Sequence, residues 1–245
     1  MSHELGRVQT ILQRLESVHG RPRRIARFDP MDELVSCILS QHSSDARSFP
    51  AFTRLKERFP VWTDVVEVDC AELADVIRTA GLANQKAKNI QACLRLIYKE
   101  TGVYSLDSLR SMPTMEARAW LLKLPGVGPK TASIVLCFSM GRETIPVDTH
   151  VFRVSCRLGL IESAIGEVRA HDALMEIVPN DLSFRSHVDL IQHGRVTCRA
   201  SSPRCVSCCL VDICPSCKEG AENRTPVRSE TPIVRTRMRL SGVTA

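Results

Sequence analysis

The sequence predicts an all-α protein, and three observations support this prediction. Apolar residues recur at helical spacing along most of the 245-residue chain. No run of alternating apolar and polar residues is long enough to favour a sheet. Hydrophobic residues make up 44% of the chain but aromatic residues only 4%, a balance more typical of helices than of a β-sandwich. A chain of this length can form one large domain or two small ones.

The helices are predicted one after another from periodicity and from their end signals. The first carries an apolar face from Val8 to Val18 and ends at Gly20. Asp29 and Pro30 are a helix N-cap and a first-turn proline, and an apolar run typical of a buried helix follows them. Further helices are predicted at residues 45–58, 71–79, 84–100, 114–123, 129–140, 151–158, 167–178 and 187–193.

Charge and hydropathy narrow the classes of function. The formal net charge is +6, which permits a polyanionic partner such as nucleic acid. The sequence shows no uninterrupted apolar stretch of about 18 residues and no secretory signal pattern, so we expect no membrane partner. We expect a cytoplasmic protein with reduced thiols. Residues 219–245 are basic and lack periodicity, and we interpret them as a disordered tail.

The eleven cysteines fall into two groups. Five are scattered singly among apolar neighbours, where most are expected to be small core residues. Six crowd into the segment 198–217. Four of these have the spacing C-x6-C-x2-C-x5-C: Cys198, Cys205, Cys208 and Cys214. Thiolates at this spacing can enclose a zinc ion or a [4Fe–4S] cluster; Cys209 and Cys217 have no assigned role.

A glycine hairpin separates two of the predicted helices. Gly126 and Gly128, on either side of Val127, can adopt backbone angles closed to other residues and let a ligand approach the amides. Pro129 then starts the next helix, whose free amides and dipole favour a phosphate. Such contacts reach the nucleic-acid backbone and carry little sequence specificity. An ordinary turn between two helices is the alternative interpretation.

Two residues near the hairpin are candidates for chemistry. Lys130 lies in the first turn of the helix after the hairpin and could act as an amine nucleophile. A phosphate-contacting lysine is the alternative. Asp148 supplies a carboxylate that could serve this amine, and its place before Thr149 also suits a helix N-cap. The two roles of Asp148 are compatible, because a cap fixes the position of the carboxylate.

These motifs together resemble the endonuclease III family, which belongs to the helix-hairpin-helix base-excision DNA glycosylases. The resemblance covers roughly residues 5–217 and rests on the hairpin, the lysine, the aspartate and the cysteine spacing. It implies a two-lobed helical fold: a six-helix barrel lobe that contains the hairpin, and a lobe that holds an iron–sulfur cluster. The resemblance implies four parts. Residues 1–22 form an N-terminal helix that packs on the iron–sulfur lobe, and residues 23–142 form the barrel. Residues 143–218 form the iron–sulfur lobe, and residues 219–245 form the tail.

The resemblance also implies a bifunctional DNA glycosylase and AP lyase of base excision repair. Such an enzyme flips a damaged nucleotide out of the duplex. The Lys130 amine would then displace an oxidised pyrimidine from the sugar C1′ and form a Schiff base, and β-elimination would cut the strand. Asp148 would activate the amine or stabilise positive charge on the sugar. The alternatives are a mismatch- or uracil-directed glycosylase of the same fold and a non-catalytic DNA-binding module.

The remaining partners and contacts follow from the same resemblance. The expected partner is double-stranded DNA with damaged bases or abasic sites, bound by a nucleoid-associated monomer. A structural [4Fe–4S] cluster would position a DNA-contacting loop in which Arg199 and Arg204 contact phosphate, although plain solvated charge is an alternative for each. Leu82 would be a wedge in the duplex or, alternatively, an ordinary buried leucine. His42 aligns with the gap-filling glutamine of the family and Gln41 with the preceding alanine, so either side chain could face the orphaned base.

Overall fold

The computed structural model describes residues 2–24 and 28–217, and their secondary structure is helical. The predicted tail, 219–245, lies outside the described residues. The α-helices are α1 Ser2–His19, α2 Pro30–Ser40, α3 Asp45–Arg58, α4 Trp62–Glu67, α5 Cys70–Val76, α6 Ala83–Thr101, α7 Thr114–Leu121, α8 Pro129–Ile134, α9 Thr149–Arg157, α10 Gly166–Ile177 and α11 Ser183–Val196. No strand occurs in this part of the chain, and the predicted all-α class is confirmed.

Most predicted helices are present, with three differences. The segment 129–140 divides into α8 and a π-helical turn, Val135–Ser139. Helix α11 extends beyond the predicted 187–193 at both ends. Helix α4 was not predicted, because it has only six residues and its N-cap position, Val61, makes no side-chain capping bond. The Asp29 cap is as expected, since its carboxylate accepts from the backbone N–H of Met31 at 2.8 Å.

Buried apolar side chains form two separate clusters. The first is built from α2 to α8 and the connections between them, with Leu34, Leu55 and Leu94 fully buried. The second joins α1 to α9, α10 and α11, with Leu15 and Val154 at its centre. The N-terminal helix therefore packs on the C-terminal helices. The helices divide in the same way as the implied lobes, whose residue limits stay a prediction.

Ion pairs hold distant helices together at the margins of these clusters. Arg118 of α7 is 7% exposed and pairs with Asp172 of α10 at 2.8 Å, which joins the first cluster to the second. Arg185 of α11 pairs with Glu16 of α1 at 2.6 Å and with Asp189 at 3.2 Å. No helix within 2–24 or 28–217 is long and apolar enough to cross a bilayer.

The scattered cysteines mostly lie in the core, as predicted. Cys37, Cys93 and Cys137 are buried, whereas Cys70 and Cys156 are half-buried. Burial raises the pKa of the Cys93 and Cys137 thiols to about 12. These two thiols therefore remain protonated at neutral pH and behave as small apolar side chains.

Candidate active site

The hairpin is shaped by Gly126. Its φ is +77°, and an added Cβ atom would lie 2.7 Å from Asn89 Nδ2, so only glycine fits this position. The N–H of Val127 donates to Leu124 O at 3.1 Å and its side chain is buried. The amide of Val127 is thus engaged within the hairpin. A ligand must use Gly128 and the start of α8 instead.

The start of α8 offers free backbone donors. Gly128 is the N-cap residue and makes no side-chain capping bond. Pro129 occupies the first helical position, where no N–H is needed. Within the described residues, the N–H groups of Lys130 and Thr131 have no acceptor. Unpaired donors at a helix start are suited to a phosphate oxygen.

Lys130 projects from this helix start into solvent. Its side chain is exposed, and it makes no hydrogen bond or ion pair with any residue in the described part of the chain. A lysine held at a fixed point of the backbone but without a partner is available to a ligand. The arrangement is compatible with nucleophilic attack and with phosphate contact, the two roles that the sequence leaves open.

Asp148 is anchored through one carboxylate oxygen only. Oδ1 accepts from the backbone N–H groups of His150 at 2.9 Å and Val151 at 2.8 Å, which caps α9. Oδ2 accepts no hydrogen bond from the described residues. The cap therefore fixes the carboxylate and leaves one oxygen free for a second task. The two roles expected of Asp148 are structurally compatible.

Two buried histidines hold the peptide that leads to Asp148. His187 Nδ1 donates to Pro146 O at 2.6 Å. His171 Nε2 accepts from the backbone N–H of Val147 at 3.0 Å. The neutral form of His171 is required, because its ring nitrogen must accept this bond. Sequence reasoning missed both residues, since a single histidine on a helix gives no signal of what it will face.

Lys130 and Asp148 lie at the starts of α8 and α9, two helices that belong to different apolar clusters. Burial lowers the pKa of His187 to about 4, while the bond to Pro146 O and the charge of Asp148 oppose this shift and the charge of Lys130 adds to it. Both charges therefore act on the same buried ring. Lys130 and Asp148 are therefore both near enough to His187 for their charges to affect this ring.

Gln41 and His42 have separate tasks at the end of α2. The Gln41 amide donates from Nε2 to Gly126 O at 2.8 Å and to Thr131 Oγ1 at 3.4 Å. Gln41 thus braces the hairpin. His42 is exposed and has a φ of +51°, an unusual conformation for a residue other than glycine. Of the two, His42 is the side chain presented to solvent.

Leu82 is exposed, so the buried alternative is wrong. It is 60% exposed and has a φ of +49°. A large apolar side chain held outward in a strained conformation indicates a functional constraint. Gly81 before it has a φ of +72°, which completes a sharp turn into α6. The position fits a wedge that enters an apolar partner such as stacked bases.

The four cysteines of the predicted centre border one cavity of about 250 Å³, together with Cys217. In the described part of the chain, no three His, Cys, Asp or Glu side chains converge closely enough to hold a single metal ion. The donor set nevertheless fits an iron–sulfur cluster in chemistry, because four of the five thiols that border the cavity are the four of the predicted spacing. Cys209 does not line the cavity.

Two arginines of α9 fix the loop after the first of these cysteines. Arg153 donates to Cys198 O at 3.1 Å, and Arg157 donates to Arg199 O at 2.6 Å. Arg157 also approaches Cys198 Sγ at 3.4 Å. The side chains of Arg199 and Arg204 are exposed, and both stand free to contact a polyanion.

A larger cavity of about 670 Å³ contains none of the predicted site residues. It lies on the first cluster, bordered by Phe28, Trp62 and Tyr104. Lys130, His42 and Leu82 instead lie on the exposed surface. Such a surface suits a long ligand better than a small enclosed molecule.

The family profile that describes the HhH-GPD superfamily of base excision DNA repair proteins matches residues 35–180, which include the hairpin, Lys130 and Asp148. The chain belongs to this superfamily. Endonuclease III of Thermotoga maritima is 32% identical over 215 residues, covering 88% of this chain and 96% of that protein. A putative DNA glycosylase of Arabidopsis thaliana is 35% identical over 166 residues, covering 68% of this chain and 57% of that longer protein.

A solved structure shows the same HhH-GPD fold. It is described as a non-covalent endonuclease III–DNA complex and matches with a TM-score of 0.75 and 31% identity, covering 89% of this chain and 98% of that one. The two-lobed helix-hairpin-helix glycosylase fold expected from the motifs is therefore confirmed.

Proposed function

We propose that the protein is a bifunctional DNA glycosylase and AP lyase of base excision repair that removes oxidised pyrimidines. One observation carries the proposal: within the described residues Lys130 is exposed and unpaired at the start of α8, Asp148 at the start of α9 keeps Oδ2 free, and both charges act on the buried His187 ring. A non-catalytic DNA-binding module has no need for this pair. Membership of a base excision repair family and the likeness to endonuclease III support the assignment.

The proposed reaction uses both side chains, Lys130 as the nucleophile and Asp148 as the group that stabilises charge. The Lys130 amine attacks the sugar C1′, the bond from C1′ to the base breaks, and the base leaves with the bonding electron pair. Loss of a proton from the amine and opening of the ring give a Schiff base between Lys130 and the sugar. A proton is then lost from C2′, and the 3′ phosphate leaves by β-elimination. The Asp148 carboxylate stabilises the positive charge that develops on the sugar.

The surrounding turns hold the duplex. The free amides of the α8 start bind a backbone phosphate near Lys130. Leu82 enters the stack where the damaged nucleotide has left, and His42 faces the orphaned base as a hydrogen-bonding side chain. Gln41 contributes indirectly by bracing the hairpin.

The cysteine centre fits a [4Fe–4S] cluster held by Cys198, Cys205, Cys208 and Cys214. When bound, such a group would supply cross-links within the loop of residues 198–214, which follows α11, and no bond chemistry. This chain's own part is to fix that loop through Arg153 and Arg157 and to present Arg199 and Arg204 to phosphate. We also propose that the protein works as a monomer on nucleoid DNA, since both catalytic side chains come from one chain.

Borohydride trapping tests the proposed function. The protein is incubated with duplexes that carry thymine glycol, uracil or an abasic site, and borohydride is added to reduce any Schiff base. We expect base release from thymine glycol and a covalent protein–DNA adduct. Lys130→Ala should abolish the adduct because the nucleophile is lost.

Lys130→Arg is the matched variant that separates the two roles of Lys130. Arginine keeps the positive charge and the phosphate contact, but its guanidinium does not form the Schiff base. The variant should bind the duplex and form no adduct. An adduct in either variant, or base release from uracil alone, would contradict the proposal.

A further inference from the structure

One lysine in the described part of the chain is buried. Lys86 of α6 is 3% exposed, and no carboxylate in the described part of the chain pairs with it. Burial of an amino group is unfavourable unless its N–H groups find acceptors. Its neighbour Lys88 on the same helix is exposed. The N–H groups of Lys86 must therefore find neutral acceptors inside the protein.

Its acceptors are the ends of two helices that are far apart in sequence. Lys86 Nζ donates to Leu39 O at 2.6 Å and to Ala80 O at 2.9 Å. Leu39 lies in the last turn of α2, and Ala80 ends the 3-10 helix Arg78–Ala80. Carbonyl groups at helix ends lack partners within the helix and are stabilised by a basic side chain. The Lys86 amino group thus donates to a carbonyl at the end of each of these two helices.

Each of these helix ends leads directly into an exposed, strained residue. His42 follows Leu39 by three positions and Leu82 follows Ala80 by two. His42, Leu82 and Ser202 are the non-glycine residues with positive φ in the described part of the chain. Two of these three positions are therefore tied to Lys86. Strain of this kind persists only where the surrounding structure fixes the backbone.

Other contacts fix each turn separately, but Lys86 joins them. On one side, Arg47 Nε donates to Thr79 O at 3.2 Å, just before the Leu82 turn. On the other side, Gln41 donates to Gly126 O at 2.8 Å and links the His42 turn to the hairpin. Lys86 bonds directly to the backbone ahead of both turns, and so sets their separation.

We propose that Lys86 is a positioning residue that holds the His42 turn and the Leu82 turn at a fixed distance, so that both side chains enter the duplex together. The inference rests on the proposed function. Lys86 acts on the extrusion of the nucleotide and not on the bond chemistry, since it contacts neither Lys130 nor Asp148 in the structure. A nucleotide that is already unpaired needs no such assistance.

The test compares one lesion in two contexts. Single-turnover base release is measured for thymine glycol paired with adenine and for thymine glycol in a one-nucleotide bulge. Lys86→Met removes both bonds to the carbonyls and keeps the length of the side chain. We expect its rate on the paired lesion to fall roughly tenfold or more, and its rate on the bulge to stay within about twofold of the unchanged protein.

Lys88→Met is the control, because it removes the same charge from the exposed face of the same helix and should leave both rates unchanged. An equal loss on both substrates, or no loss for Lys86→Met, would overturn the inference. Lys86→Gln keeps one N–H donor and serves as the second variant if circular dichroism shows that Lys86→Met does not fold; it should show the same bias towards the bulge. An unchanged protein inactive on both substrates would instead refute the proposed function.

Discussion

We propose two tasks for Asp148, divided between its two oxygens. Oδ1 caps α9, while Oδ2, which accepts no hydrogen bond from the described residues, would stabilise positive charge on the sugar. Asparagine has the same shape and is also a good N-cap, but it carries no charge. Substitution at this position can therefore separate stability from catalysis.

We expect Asp148→Asn to keep the free energy of unfolding within about 1 kcal/mol. Duplex binding should also persist, while single-turnover base release falls roughly 10²–10⁴-fold. Asp29→Asn is the control, since it makes the same change at the N-cap of α2, where Asp29 accepts from Met31 N–H; it should keep full activity. Unchanged turnover in Asp148→Asn would leave this residue as a cap only.

Because the pKa of buried His187 is lowered, we expect the free energy of unfolding to depend on pH. Its pKa is lowered by burial from 6.5 to about 4, so the folded protein binds fewer protons than the unfolded chain between these values. The stability due to the neutral ring is complete above pH 6.5 and is lost as pH falls towards 4. At pH 5 this loss is about 2 kcal/mol relative to pH 7.5.

The measurement is urea unfolding of the unchanged protein and of His187→Gln at both pH values. Glutamine can still donate to Pro146 O but does not titrate. The difference between the two proteins isolates His187, because Asp189, whose pKa burial raises to about 6, is present in both. An identical pH dependence in the two proteins would contradict this account of His187.

At the scale of elements, the hairpin combines a glycine that the fold requires with one that faces open space. Gly126 has a φ of +77° and its added Cβ would meet Asn89, whereas Gly128 has a φ of −99° and no heavy atom within 4 Å of such a Cβ. The two positions therefore differ in purpose. Gly126 shapes the hairpin, and we propose that Gly128 keeps its outer surface clear for a phosphate.

Alanine at each position should separate these purposes. Gly126→Ala should lower the free energy of unfolding by roughly 1–3 kcal/mol because of strain and the contact with Asn89. Gly128→Ala should leave it within about 0.5 kcal/mol but weaken binding of undamaged duplex, as measured by fluorescence anisotropy. A larger loss of stability in Gly128→Ala than in Gly126→Ala would contradict the proposed difference between the two glycines.

The helical elements could be predicted well where an apolar run and a cap agree, as at Asp29 and the helix that follows it. The sequence could not predict the division of the segment 129–140, because the change to π-helical bonding depends on packing around Val135–Ser139. It placed Lys130 and Asp148 on the correct helix starts but could not show that one oxygen of Asp148 stays free. The burial of Lys86 could not be predicted, because its acceptors are backbone carbonyls 47 and 6 residues away.

At the scale of the whole molecule, the cavity bordered by the cysteines lies where parts of the second cluster that are separated in sequence come together. The cavity is bordered by α9, by the end of α11 and by the C-terminal loop. Cys208 borders it and the adjacent Cys209 does not. This difference between neighbours gives a matched test of the proposed ligand set.

We expect Cys208→Ser to lose most of the bound iron and sulfide and Cys209→Ser to retain them, in anaerobically purified protein. A cluster that binds only the folded state also stabilises it, so thermal unfolding of Cys208→Ser should occur at lower temperature. Equal iron content in the two variants would refute the assignment of Cys208. Zinc in place of iron would refute the cluster.

The proposed function depends above all on attack of the Lys130 amine on the sugar. The most direct measurement is mass spectrometry of peptides from the borohydride-trapped adduct with an abasic duplex. We predict that the reduced sugar is attached to Nζ of Lys130 and to no other lysine. Attachment at another lysine or at the N-terminal amine would contradict the claim.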